Sequence, residues 1–164
     1  MADVDNQERA GRATRLVEMT DLLGDETVGF SGKAAGWLFD DVKATWLYGY
    51  FTGTVLTAYA FCVQQLAGLV RMVLDDPAVP DEAGTLEELA EVCERNGLID
   101  LELRAHLVTL HDCANVYLSA GLVEYGAQLE QRMADAEFFT GDHSLLTDAR
   151  AALECSAALL HRRP

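Results

Sequence analysis

The stretch YGYFTGTVLTAYAFCVQQLAGLVRMVL, Tyr48 to Leu74, decides the fold. It contains no proline, its only charge is Arg71, and its apolar residues do not alternate. A half-buried strand alternates, so the stretch reads as helix. Val55, Leu56, Tyr59, Phe61, Val63, Leu66, Leu69 and Val70 crowd its middle, so it is expected to be covered on several sides as the backbone of the fold. The proline-free run reaches back to Leu38, so one helix is expected from about Leu38 to Leu74, about 55 Å long at 1.5 Å per residue. Gly49 and Gly53 sit one turn apart in it, each at a cost of about 1 kcal/mol of helix propensity. Read as a place of close approach for another helix, they are interface candidates. The most apolar window, TVLTAYAFCV, gives way to Gln64-Gln65 and is too short to cross about 30 Å of hydrocarbon, so no transmembrane helix is expected.

The flanking sequence keeps the helical period. A first helix is expected over Asn6–Leu23, with Leu16, Met19, Leu22 and Leu23 as its stripe and Gly24 as its stop. Thr85-Leu-Glu-Glu88 has the form of a capping box. The helix it starts should end at Asn96-Gly97. Asp100 caps the next, whose Leu103, Leu107, Leu110, Ala114 and Tyr117 share a face and which Gly121 breaks. VEYGAQLEQRMADAEFF is expected to form another helix. A last one starts at Asp142 or Ser144, lined by Leu145, Ala149, Ala152, Leu153, Ser156 and Leu160. The expectation is an all-α chain: a single domain, residues 1–164, of about five to six helices around one long central helix.

Charge limits the partners. The chain carries 27 acidic and 12 basic residues, a net charge of −15. Phosphate backbones are repelled at long range, so nucleic acid is not the expected partner. Arg9, Arg12 and Arg15 form a small basic patch at most, and Arg162 and Arg163 are terminal. None of the four cysteines, Cys62, Cys93, Cys113 and Cys155, makes a C-x-x-C pair, and the start MADVDNQERAGR is polar. A cytoplasmic location with reduced thiols is therefore expected.

Metal and nucleophile patterns are weak. His111 and Cys113 are two apart and point roughly 200° from each other on a helix. No Glu-x-x-His pair and no G-x-S-x-G elbow occurs, and Gly32-Lys33 lacks the phosphate-loop spacing. No metal and no cofactor are expected. Arg104 and His111, seven apart, do share a face and make an alternative catalytic pair, with His106 nearby.

Four segments carry a resemblance: YGYFTGTVLTAYAFCVQQLAGLVRMV, then TLEELAEVCERNGLID, then LELRAHLVTLHDCANVYLSAG, then LLTDARAALECSAALLHRR. Their order, the ERNGLID turn and the DARAAL helix start resemble the HEPN superfamily, all-helical domains whose active members are metal-independent ribonucleases. The resemblance implies a dimer with one composite site, an arginine that holds the crowded phosphate and a histidine that moves a proton. Carried onto this chain, the arginine position is Ala114, the polar spacer Asn115, the aromatic Tyr117 and the histidine position Ser119, with Gln64 or Gln65 as the supporting polar residue. Alanine cannot donate to phosphate, and serine does not titrate near pH 7. The resemblance thus implies a non-catalytic binding or assembly module with a degenerate motif. It would be a homodimer or a subunit of a larger complex, such as those of bacterial toxin–antitoxin or defence systems. Two alternatives stand beside it. One is a ribonuclease with relocated groups at Arg104, His106 and His111. The other is an acidic inhibitor that mimics nucleic acid.

Overall fold

The computed structural model describes residues 2–21, 33–74, 84–119, 126–128, 130–132, 134 and 144–160. Among these there is no strand, and the chain is an all-α helical bundle. Its helices are α1 (Ala2–Asp21), α2 (Lys33–Tyr48), α3 (Phe51–Leu74), α4 (Leu86–Arg95), α5 (Leu101–Leu118) and α6 (Ser144–Leu160). Residues 126–128 and 130–132, inside the segment expected to add a further helix, are also helical. The expected stops at Gly24 and Gly121, the start at Asp142 and the arginines Arg162 and Arg163 lie outside the described residues.

The single helix expected from Leu38 to Leu74 is two. α2 ends at Tyr48, and α3 begins at Phe51. Gly49 takes φ 76°. Its N–H donates to Trp46 O at 3.0 Å, and the Tyr50 N–H donates to Thr45 O at 2.8 Å. This pair of bonds is the Schellman closure, which needs a left-handed residue just past the helix end. Apolar periodicity runs straight through the break, because α2 and α3 fold back on the same core, so periodicity alone does not reveal it. The two glycines therefore do not share a helix face. Gly49 makes the corner, and Gly53 lets α2 close on α3: a Cβ there would lie 3.3 Å from Thr45 Cγ2. Gly97, φ 70°, repeats the closure after α4, with the Leu98 N–H on Cys93 O at 2.9 Å.

α3 remains the longest described element and the centre of the bundle, packed against α2, α4, α5 and α6. Val55, Phe61, Cys62, Leu66, Leu69 and Val70 are buried on it. α2 meets it with Ala35, Phe39, Val42 and Trp46, spaced four, three and four apart on one stripe. Phe39 and Phe61 lie 5.3 Å apart between ring centroids. By length and composition α3 suffices to cross a membrane over Phe51–Val73, and 56% of its apolar 18-residue window is buried inside the bundle.

α1 seals the corner. Arg12 Nε donates to Leu47 O at 3.3 Å, and Trp46 Nε1 donates back to Arg12 O at 3.1 Å. Arg9 covers the Tyr48 ring at 4.5 Å, and Arg15 pairs with Glu154 at 2.6 Å. The three arginines expected to form a patch are thus each engaged within the chain. α4 opens on the expected capping box: the Glu88 N–H donates to Thr85 Oγ1 at 3.2 Å, and the Thr85 N–H donates to Glu88 Oε2 at 2.8 Å. Asp100 caps α5 by accepting from the Leu103 N–H at 2.8 Å.

Gly49→Ala should destabilise the protein by about 1–2 kcal/mol, the cost of a left-handed alanine. Gly36→Ala, inside α2 and facing open space, should instead stabilise by about 0.5–1 kcal/mol. Urea denaturation of the two variants checks the opposite signs.

Candidate functional site

α5 carries the residues singled out by the sequence, and its 100° per residue sorts them into three faces. Leu103, Leu107, Leu110 and Ala114 form the buried ridge. Arg104, His111 and Asn115 share a second face. His106, Cys113 and Tyr117 share a third, toward α6.

Ala114 stands on the ridge with 0% of its surface exposed. An arginine there would have to enter the core. Ser119 is the C-cap of α5, its N–H bonded to Asn115 O at 2.9 Å. The arginine and histidine positions of the resembled motif therefore lie in the core and at a helix end. Gln64 is exposed, whereas Gln65, the next residue on α3, is 1% exposed.

On the second face, the Asn115 Nδ2 amide lies 2.9 Å from His111 Nε2. An amide nitrogen only donates, so Nε2 accepts, and the neutral ring carries its proton on Nδ1. That Nδ1 is enclosed with no hydrogen-bond partner among the described residues. The ring lies against Tyr59 of α3, 6.0 Å between centroids. Arg104 shares this face, and its Nε is likewise enclosed without an acceptor. His106 is exposed on the opposite side of α5, so the structure separates it from the other two alternative catalytic residues.

The third face holds a cluster that the sequence did not single out. Tyr117 Oη donates to Asp148 Oδ2 at 2.9 Å, and the Cys113 thiol donates to Asp148 Oδ1 at 3.5 Å. Arg132 Nη1 is paired with Asp148 Oδ2, and its guanidinium lies 5.9 Å from the Tyr117 ring centre. These residues are 31 and 35 positions apart or sit in a separate helical piece, so no local spacing announces them. The signals present were Tyr117 and the DARAAL start of the last helix. Burial pushes the Tyr117 phenol up, with Arg132 opposing. Burial also pushes the Cys113 thiol up, against the same guanidinium. Both stay protonated near neutral pH, and the one carboxylate is neutralised by arginine. The cluster clamps α5 to α6 and holds no activated nucleophile.

Elsewhere Cys62, Cys93 and Cys155 are buried free thiols. Among the described residues no group of three or more His, Cys, Asp or Glu is placed to hold a metal ion. Comparison with family models, with curated proteins and with solved structures finds no match to the chain.

Tyr117→Phe should cost about 1.5 kcal/mol, the lower end for a hydrogen bond to a charged partner, without unfolding the bundle. The pH dependence follows from buried thiols. Burial pushes Cys93 from 9.0 up to about 12. The native state keeps this proton when the unfolded chain loses it, so stability is full below about pH 9 and falls as pH rises toward about 12. Denaturation midpoints measured from pH 7 to 11 should be flat and then decline, and Cys93→Ala should make the decline shallower.

Proposed function

We propose that this chain is a non-catalytic helical module for protein–protein assembly, acting as a homodimer or as one subunit of a larger complex. One observation carries the proposal: Ala114 is fully enclosed in the core. At the position where the resembled ribonucleases keep a phosphate-binding arginine, this chain has a packing residue. The neighbours agree. Asn115 is bonded to His111, and Ser119 ends the helix. Loss of one group of this kind commonly lowers a rate by about 10²-fold or more, and here two are replaced.

The surface supports assembly. Trp37, Tyr48, Tyr50 and Leu118 are large apolar side chains left exposed, the residue types that anchor interfaces. Tyr48 and Tyr50 lie 6.4 Å apart between ring centroids beside the α2–α3 corner. The net charge of −15 supports a protein partner over a nucleic acid. Bacterial toxin–antitoxin and defence complexes remain the setting that the resemblance suggests, by analogy of fold.

Purified protein incubated with single-stranded RNA in EDTA should leave the RNA intact, and sedimentation velocity at micromolar concentration should show a dimer or a co-purifying partner. Cleavage that disappears in His111→Ala would overturn the proposal in favour of relocated catalytic groups. A monomer without partner would remove the assembly role.

A further inference from the structure

α5 and α6 do not close on each other along their whole length. Beyond the Asp148 clamp they leave a cavity of about 250 Å³. Its floor and walls are Leu110, Ala151, Ala152 and Ala158. The void has a simple origin. Tyr117 and Arg132 meet Asp148 and set the helix spacing at one end, while α6 offers only methyl groups to α5 in the next turns. Side chains that short cannot fill a gap sized for an aromatic residue.

The mouth is polar, and each of its two carboxylates is paired with an arginine. His106 and Thr109 stand on the α5 side, Glu154 and Asp148 on the α6 side. The Thr109 hydroxyl donates to Ala105 O at 3.0 Å. Asp148 already accepts from Tyr117, Cys113 and Arg132. Glu154 differs. One of its oxygens takes Arg15 at 2.6 Å, and its side chain is 45% exposed. A carboxylate accepts about four hydrogen bonds, so Glu154 retains capacity at the rim. No lysine or arginine is among the described lining residues, and the whole chain is strongly anionic. Arg15 and Arg132 offset the two rim carboxylates locally, so the preference for a cation comes from the net charge of −15 and from the remaining acceptor capacity of Glu154.

We infer that this cavity is a binding site for a small organic amine with an apolar ring body. The ring lies on the alanine wall and the ammonium group reaches Glu154. Size fits a one- or two-ring compound, since an apolar cavity of about 150 Å³ takes benzene. The inference stands on α5–α6 geometry and does not depend on the assembly role.

The test uses the full chain and three probes that share one ring: tryptamine, indole and indole-3-acetate. In ¹H–¹⁵N correlation spectra, tryptamine should give saturable shifts centred on residues 106–113 and 148–158. It should bind about tenfold or more tighter than indole-3-acetate, a difference of about 1.4 kcal/mol or more. Glu154→Gln should weaken tryptamine and leave indole unchanged. Ala151 is an exposed wall residue, so Ala151→Leu should abolish the saturable shifts while circular dichroism and the denaturation midpoint stay as in the parent. Absence of saturable shifts with tryptamine would overturn the inference. So would shifts that persist unchanged in Ala151→Leu, or indole-3-acetate binding as tightly as tryptamine.

Discussion

The burial of α3 is the constraint on which the rest depends. Four helices pack against it, so each of them must turn an apolar stripe inward and leave its polar side out. α2 can do so only because the chain reverses at Gly49, whose left-handed backbone closes the α2 carbonyls within two residues. A continuous helix through that point would have carried Phe39, Val42 and Trp46 away from Phe61 and its neighbours. α1 then docks on the corner through reciprocal bonds between Arg12 and the Trp46–Leu47 turn.

α5 shows how one helix can look like a site and be packing. Its ridge of Leu103, Leu107, Leu110 and Ala114 is fixed against the bundle. That orientation decides where every other residue of the helix falls. Tyr117 and Cys113 turn to Asp148, and His111 and Asn115 turn to Tyr59 and to each other. The motif rhythm survives because a helix that buries leucines at three- and four-residue spacing keeps it for packing alone.

The helical class, the α4 capping box, the Asp100 cap and the Asn96-Gly97 stop were legible in the sequence. The class shows in the long proline-free apolar run, and each cap or stop is written within four or five adjacent residues, where its chemistry is local. The α2–α3 corner was less legible, since a glycine inside a periodic run reads equally as a helix interior or as its end. The bond that settles it, Tyr50 N–H to Thr45 O, is made by backbone atoms and leaves no mark in the side chains. The alternative catalytic residues were read from helical spacing, which correctly groups Arg104 with His111 but places His106 across the helix. The Asp148 cluster was not legible, because its partners meet only when α5, α6 and the residue 130–132 piece have packed.

The central claim is that the face of α5 holding Ala114 is core and not a vestigial site open to substrate. Equilibrium denaturation of Ala114→Arg beside Ala105→Arg measures it most directly, because Ala105 is the same residue type on the same helix and is exposed. A buried, unpaired guanidinium costs several kcal/mol, so Ala114→Arg should lose about 3 kcal/mol or more, or fail to fold cooperatively. Ala105→Arg should stay within about 0.5 kcal/mol of the parent. Equal, small losses in both variants would mean that Ala114 faces an open pocket, and would contradict the account.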